Sequence, residues 1–180
     1  MPAMRNKRMR HFAVLLLPLL IAPVPALAHP MPDTEIAVAY KEDGIGLTIH
    51  VSLSDLILAV PASARLLDGP LTQSERESLA SYFSEHIGIV TTSGSPLSVS
   101  IDNIRLERSE DAEVGHYEEV EVEASAAAVS GQDLILHYDG VLHQVANHRA
   151  IVRYADGTVI GIIRFSLAEK RAIPLKLHAP

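Results

Sequence analysis

The sequence predicts an all-β protein, mainly an antiparallel β-sandwich of immunoglobulin-like type, with one or two short helices. Apolar residues alternate with period two in several short stretches, and Asp-Gly pairs or Gly/Ser/Pro clusters separate them. Only one segment keeps helical spacing for more than about two turns. That combination points to two packed antiparallel sheets rather than to a helical or α/β protein.

Ile36, Val38 and Tyr40 share one face of a first strand over 34–40. Asp43-Gly44 turns the chain, and Ile45, Leu47, Ile49 and Val51 alternate after it, with His50 on the opposite face. Leu53, Leu56, Ile57 and Val60 follow helical spacing for about two turns, closed by Pro61. Residues 62–70 read as a loop. Thr72 and Glu75 have the spacing of a capping box, and Leu79, Phe83 and Ile87 continue a helical stripe to Gly88. His86 falls in the last turn of that helix, where a cation suits the helix dipole, and this explains it without a further role. Ser93-Gly94-Ser95-Pro96 is a turn. The apolar phase then changes between Ile101 and Ile104, which predicts a bulge near Asp102-Asn103. Over 117–124, Val120, Val122 and Ala124 point inward, and Glu119, Glu121 and Glu123 form a row expected on the solvated face. Leu134, Leu136 and Tyr138 alternate. Residues 148–154 and 158–165 pair across Ala155-Asp156-Gly157, and a short last strand covers 173–177.

The chain has 180 residues, enough for one domain. Residues 1–28 have the make-up of a secretory signal: a basic stretch to Arg10, an apolar run from Phe12 to Ala22, and Ala26-Leu27-Ala28 as cleavage site. The expected mature domain is therefore 29–180, periplasmic and not membrane-spanning, because no later apolar run approaches the about 20 residues a spanning helix needs. Of 15 basic residues four lie in the leader, so 11 face 22 acidic ones and the mature net charge is −11. Such a surface repels phosphate backbones and excludes nucleic acid as a partner. Cysteine is absent, which removes disulfides, thiolate metal sites and thiol catalysis. Hydrolase, P-loop and dinucleotide fingerprints are absent too, and with no Trp there is no platform for sugars, so no enzymatic activity is expected.

Cleavage after Ala28 makes His29 the first residue, whose free amine and imidazole can chelate one ion together. Further histidines concentrate late in the chain, where His137, His143 and His148 fall within 12 residues. On an unbroken strand His143 and His148 would face opposite ways, and they share a face only if the chain bends or bulges near Ala146-Asn147. The candidate metal ligands are His29, His143 and His148. They can meet if the first strand and a late strand are neighbours. Nitrogen donors without cysteine favour Cu(II) or Ni(II).

The segment from Tyr138 to His148 reads Tyr-Asp-Gly-Val-Leu-His-Gln-Val-Ala-Asn-His. With His29-Pro30-Met31-Pro32 at the start and Gly161-Ile162-Ile163-Arg164 near the end, it resembles the exported N-terminal domain of HupE/UreJ-type bacterial membrane proteins. The resemblance covers the mature chain in outline. It implies a periplasmic, mostly β domain associated with a channel-like membrane part that handles nickel or another transition metal. The sequence stops at Pro180, where the membrane helices of such proteins would begin, so a stand-alone version or one component of a split system is expected. The functional expectation is a periplasmic copper- or nickel-handling module accessory to a polytopic membrane transporter. The alternative is a metal-free interaction domain that docks on a membrane partner.

Overall fold

The structure, a computed structural model, describes residues 31–128, 132–145 and 147–178. The expected leader and His29 lie outside the described residues. Among these the chain forms β1 (Thr34–Lys41), β2 (Gly44–Ser52), α1 (Leu53–Ala59), a 3-10 helix (Pro61–Leu67), α2 (Gln73–His86), β3 (Ile87–Thr91) and β4 (Pro96–Leu97). Then follow β5 (Val99–Asp111), β6 (Gly115–Ala127), β7 (Leu134–Tyr138), β8 (Arg149–Tyr154), β9 (Val159–Ser166), β10 (Arg171–Ala172) and β11 (Leu175–Leu177). No helix among the described residues is long and apolar enough to cross a membrane.

Local signals place most of these elements. Tyr40 pairs with Ile45 across the Asp43-Gly44 turn. Gly44 is required there, since a Cβ would collide with the Ala126 carbonyl of the neighbouring strand. The β5–β6 register shifts between Ile101 and Asn103, where the apolar phase of the sequence changes. At the start of α2 the Thr72 N–H donates to the Glu75 carboxylate at 2.7 Å, half of the capping box. Arg65 also pairs with Glu75, and the guanidinium together with Thr72 holds that carboxyl down at about 2. Residues 62–67, within the stretch expected as loop, instead belong to the 3-10 helix, with Pro61 in its first turn.

The strands form a seven-stranded sheet in the order β10-β9-β8-β1-β2-β6-β5 and a four-stranded sheet in the order β11-β7-β3-β4. Their inward residues share one core, in which Ile36, Ile49 and Val122 of the larger sheet join Ile89 and Leu136 of the smaller, with Leu79 and Phe83 from α2. The fold is thus mostly β and built of two sheets. One pair departs from the antiparallel expectation: β1 and β8 run parallel, with Thr34 opposite Ala150 and Val38 opposite Tyr154. Parallel neighbours need a long crossover, and here the chain passes through the smaller sheet before β8 returns beside β1.

Candidate functional site

α2 leads directly into β3, and β3 pairs with β7 so that Ile87 lies opposite Tyr138. One step further along the same register, His86 meets Asp139: the Asp139 N–H donates to the His86 carbonyl at 3.2 Å. Their side chains meet as well, with His86 Nδ1 2.6 Å from Asp139 Oδ1. After Asp139 the chain does not continue as a strand. Residues 140–144 form successive turns, closed by Gln144 N–H and Val145 N–H donating to the Val141 carbonyl. This brings the His143 ring back over His86, with centroids 5.1 Å apart and planes 24° from parallel. One ligand atom from each of His86, Asp139 and His143 then lies within 4.8 Å of the others.

Each histidine keeps one ring nitrogen with a lone pair available for coordination. His143 Nδ1 donates to the Asp139 carbonyl at 3.0 Å, which leaves the lone pair on Nε2. The Gln144 amide nitrogen lies against that Nε2 and donates to it, from an exposed side chain that can swing away. The carboxylate of Asp139 accepts the His86 Nδ1 proton, leaving His86 Nε2 as the free donor. A carboxylate or carbonyl holding the far nitrogen is the arrangement that orients metal-binding histidines.

The loop is held under strain. Val141, fully buried, sits at φ 65°, a left-handed conformation that β-branched residues rarely adopt. Its N–H donates to the Tyr82 hydroxyl at 2.9 Å, and Tyr82 in turn lies against His86 with ring centroids 4.3 Å apart. Gly140 permits the close turn, because a Cβ there would come 2.9 Å from the Tyr138 hydroxyl.

Beside this cluster an open cleft of about 1500 Å³ runs over the end of the larger sheet, lined in part by Met31, Pro32, Asp55, His143 and His148. Seven carboxylates and two arginines line it, a balance that draws cations. On one wall His148 Nε2 lies 2.8 Å from Thr34 Oγ1, and Nδ1 lies 3.4 Å from Asp55 Oδ2. Burial is the main cause of both pKa shifts in this pair: it pulls the His148 imidazole down and pushes the Asp55 carboxyl up. On the sheet face His50 Nδ1 meets Glu119 Oε1 at 3.0 Å, and Ser109 and Tyr117 hydroxyls also donate to Glu119. There the hydrogen bonds dominate, raising His50 and lowering Glu119.

Of the residues expected as ligands, His143 joins a cluster, His148 belongs to a separate hydrogen-bonded set, and His29 lies outside the described residues. His143 lies in a turn and His148 just before β8 rather than on one strand, so strand parity does not govern them. Asn147 at φ 69° helps turn the chain between them. Two residues were read otherwise from sequence. His86 does fall in the last turn of its helix, but its side chain is only 18 % exposed and is paired with Asp139. Glu119, expected on a solvated face, is buried beneath His50, Ser109 and Tyr117. Both misses depend on which strands become neighbours, and no local signal encodes that.

Comparison of the chain with protein-family models, with curated proteins and with solved structures gave no match.

Proposed function

We propose that this protein is an exported periplasmic module that binds a divalent transition ion, Cu(II) or Ni(II), and passes it to a polytopic membrane transporter. The observation that carries this reading is the convergence of His86, Asp139 and His143, with both imidazoles held by their far nitrogens. Two imidazoles without thiolate, one of them oriented by the Asp139 carboxylate, suit these ions, and the exposed position of His143 suits exchange rather than permanent storage. The acidic cleft next to it would concentrate cations. Met31 lines that cleft, and His29 is two residues upstream, a reach of at most about 7 Å, so a mature N-terminus at His29 could supply its amine and imidazole there. The mostly antiparallel two-sheet build is in keeping with an immunoglobulin-like sandwich and with the HupE/UreJ-type exported domain that the sequence resembles.

Competition titration of the mature chain with Cu(II) tests this. His86→Ala and His143→Ala are each expected to weaken binding at least about tenfold, while His116→Ala, on an exposed strand position, leaves it unchanged. Equal affinity across these variants overturns the reading. The second reading, a metal-free docking domain, has its own support. Leu58 and Leu167, exposed by 60 % and 87 %, sit on the lining of the cleft and offer apolar contact to a partner. It takes over if no variant changes copper binding.

A further inference from the structure

Asp55 and His148 face one another on the cleft wall with side chains only 8 % and 4 % exposed. Asp55 Oδ2 is buried and accepts no hydrogen bond. The 3.4 Å to His148 Nδ1 exceeds the range of an N–H···O bond. Asp55 also stands three residues after Ser52 at the start of α1, the spacing of a capping box, yet Ser52 makes no cap and its hydroxyl too is unpartnered. A buried carboxylate oxygen left without a donor is costly, and native structures rarely keep one without reason.

The imidazole opposite it is firmly placed. His148 Nε2 lies 2.8 Å from Thr34 Oγ1, and the His148 N–H donates to the Val145 carbonyl at 3.2 Å. The next residue, Arg149, grips Asp33 at 2.6 Å, which locks β8 to the start of β1 on the other side. With Nε2 protonated toward Thr34, the Nδ1 lone pair points at the lone pairs of Asp55. A proton held by one of the two groups or a metal cation between them relieves that opposition, and the cleft beside the pair gives a metal ion access.

The order Thr34, His148, Asp55 also matches nucleophile, base and orienting carboxylate. Thr34 has no exposed surface, however, so no substrate can reach its hydroxyl. A metal ion fits better. An ion about 2.0–2.1 Å from a nitrogen and an oxygen, at a tetrahedral angle, holds those atoms about 3.4 Å apart.

We infer that Asp55 Oδ2 and His148 Nδ1 form the protein half of an inner coordination site for one divalent transition ion, reached from the cleft, with Thr34 fixing the imidazole. Its remaining positions face the cleft and take water or an incoming donor. One imidazole and one carboxylate favour zinc, nickel or copper over calcium or magnesium, which prefer all-oxygen shells. The site extends the proposed metal-handling role, sharing its cargo but none of the residues of the His86, Asp139 and His143 cluster.

Zinc calorimetry of the mature chain, with Cu(II) broadening of its backbone amide resonances, tests this. Two zinc ions are expected per chain, and the double variant His86→Ala/His143→Ala is expected to keep one. Sub-stoichiometric Cu(II) should then broaden Thr34, Asp55 and His148, and adding Asp55→Asn should weaken the remaining site at least about tenfold. Because substitution at a buried pair can impair folding, the broadening is also read on the unsubstituted chain. Broadening there that spares Thr34, Asp55 and His148, or a folded double variant that binds no ion, overturns the inner site. A single ion per chain that broadens these three residues and is unaffected by the double variant upholds the inner site and defeats the outer one.

Discussion

His50–Glu119 and His148–Asp55 are both imidazole–carboxylate pairs on the walls of one cleft, yet their surroundings drive them in opposite directions. Glu119 accepts from His50, Ser109 and Tyr117, and the carboxyl is held below its ordinary range while His50 is raised above its own. Asp55 Oδ2 has no hydrogen-bond donor, and burial raises the carboxyl and lowers His148. The first pair is stabilised as ions and the second is pushed toward neutrality. Donor number decides the difference, because hydrogen bonds to a carboxylate offset the loss of water and a lone 3.4 Å approach does not.

The strongest way to break this contrast is at the buried pair. His148→Ala is expected to lower stability by about 2–3 kcal/mol in urea unfolding, since it opens a void and strips Asp55 of its neighbour. Glu119→Gln is expected to cost about 1 kcal/mol, and by NMR titration the His50 pKa should fall back toward its ordinary 6.5. A smaller effect separates the pairs by pH. With its pKa raised, His50 stabilises the fold fully below 6.5, and this is lost as pH rises through the raised value. Glu119, lowered from 4.5, contributes fully above 4.5 and loses that as pH falls through its folded value. The penalty of His50→Gln, followed by unfolding at several pH values, should therefore be greatest between pH 4.5 and 6.5 and shrink on the alkaline side. His148 has the opposite sign: its lowered pKa takes stability away as pH drops below 6.5, so acid weakens this contribution where His50 is at its full effect. Smallest of all, Arg108→Ala breaks an exposed 3.5 Å pair with Glu118 and should change stability by less than about 0.5 kcal/mol in the same urea assay.

The legible parts of the molecule are those written over a few residues. The Asp43-Gly44 hairpin, the bulge near Asp102-Asn103, the Thr72 capping box and the hairpin around Asp156-Gly157 all arise from alternation and turn chemistry within short windows. Candidate metal ligands were legible only as a concentration of histidines. His143 was found that way, whereas His86 was assigned to its helix end and Glu119 to a solvated face, each from its local setting alone.

The sequence by itself determined the β-rich character, the positions of the main hairpins and the acidic, thiol-free chemistry, because periodicity, turn residues and composition act locally. Tertiary structure alone decided which groups became neighbours. Pairing of β3 with β7 carries His86 to Asp139 across 53 residues, and the parallel pairing of β1 with β8 carries Thr34 to His148 across 114. Strand order of that kind is set by burying one shared core, a global free-energy balance that no short stretch of residues encodes.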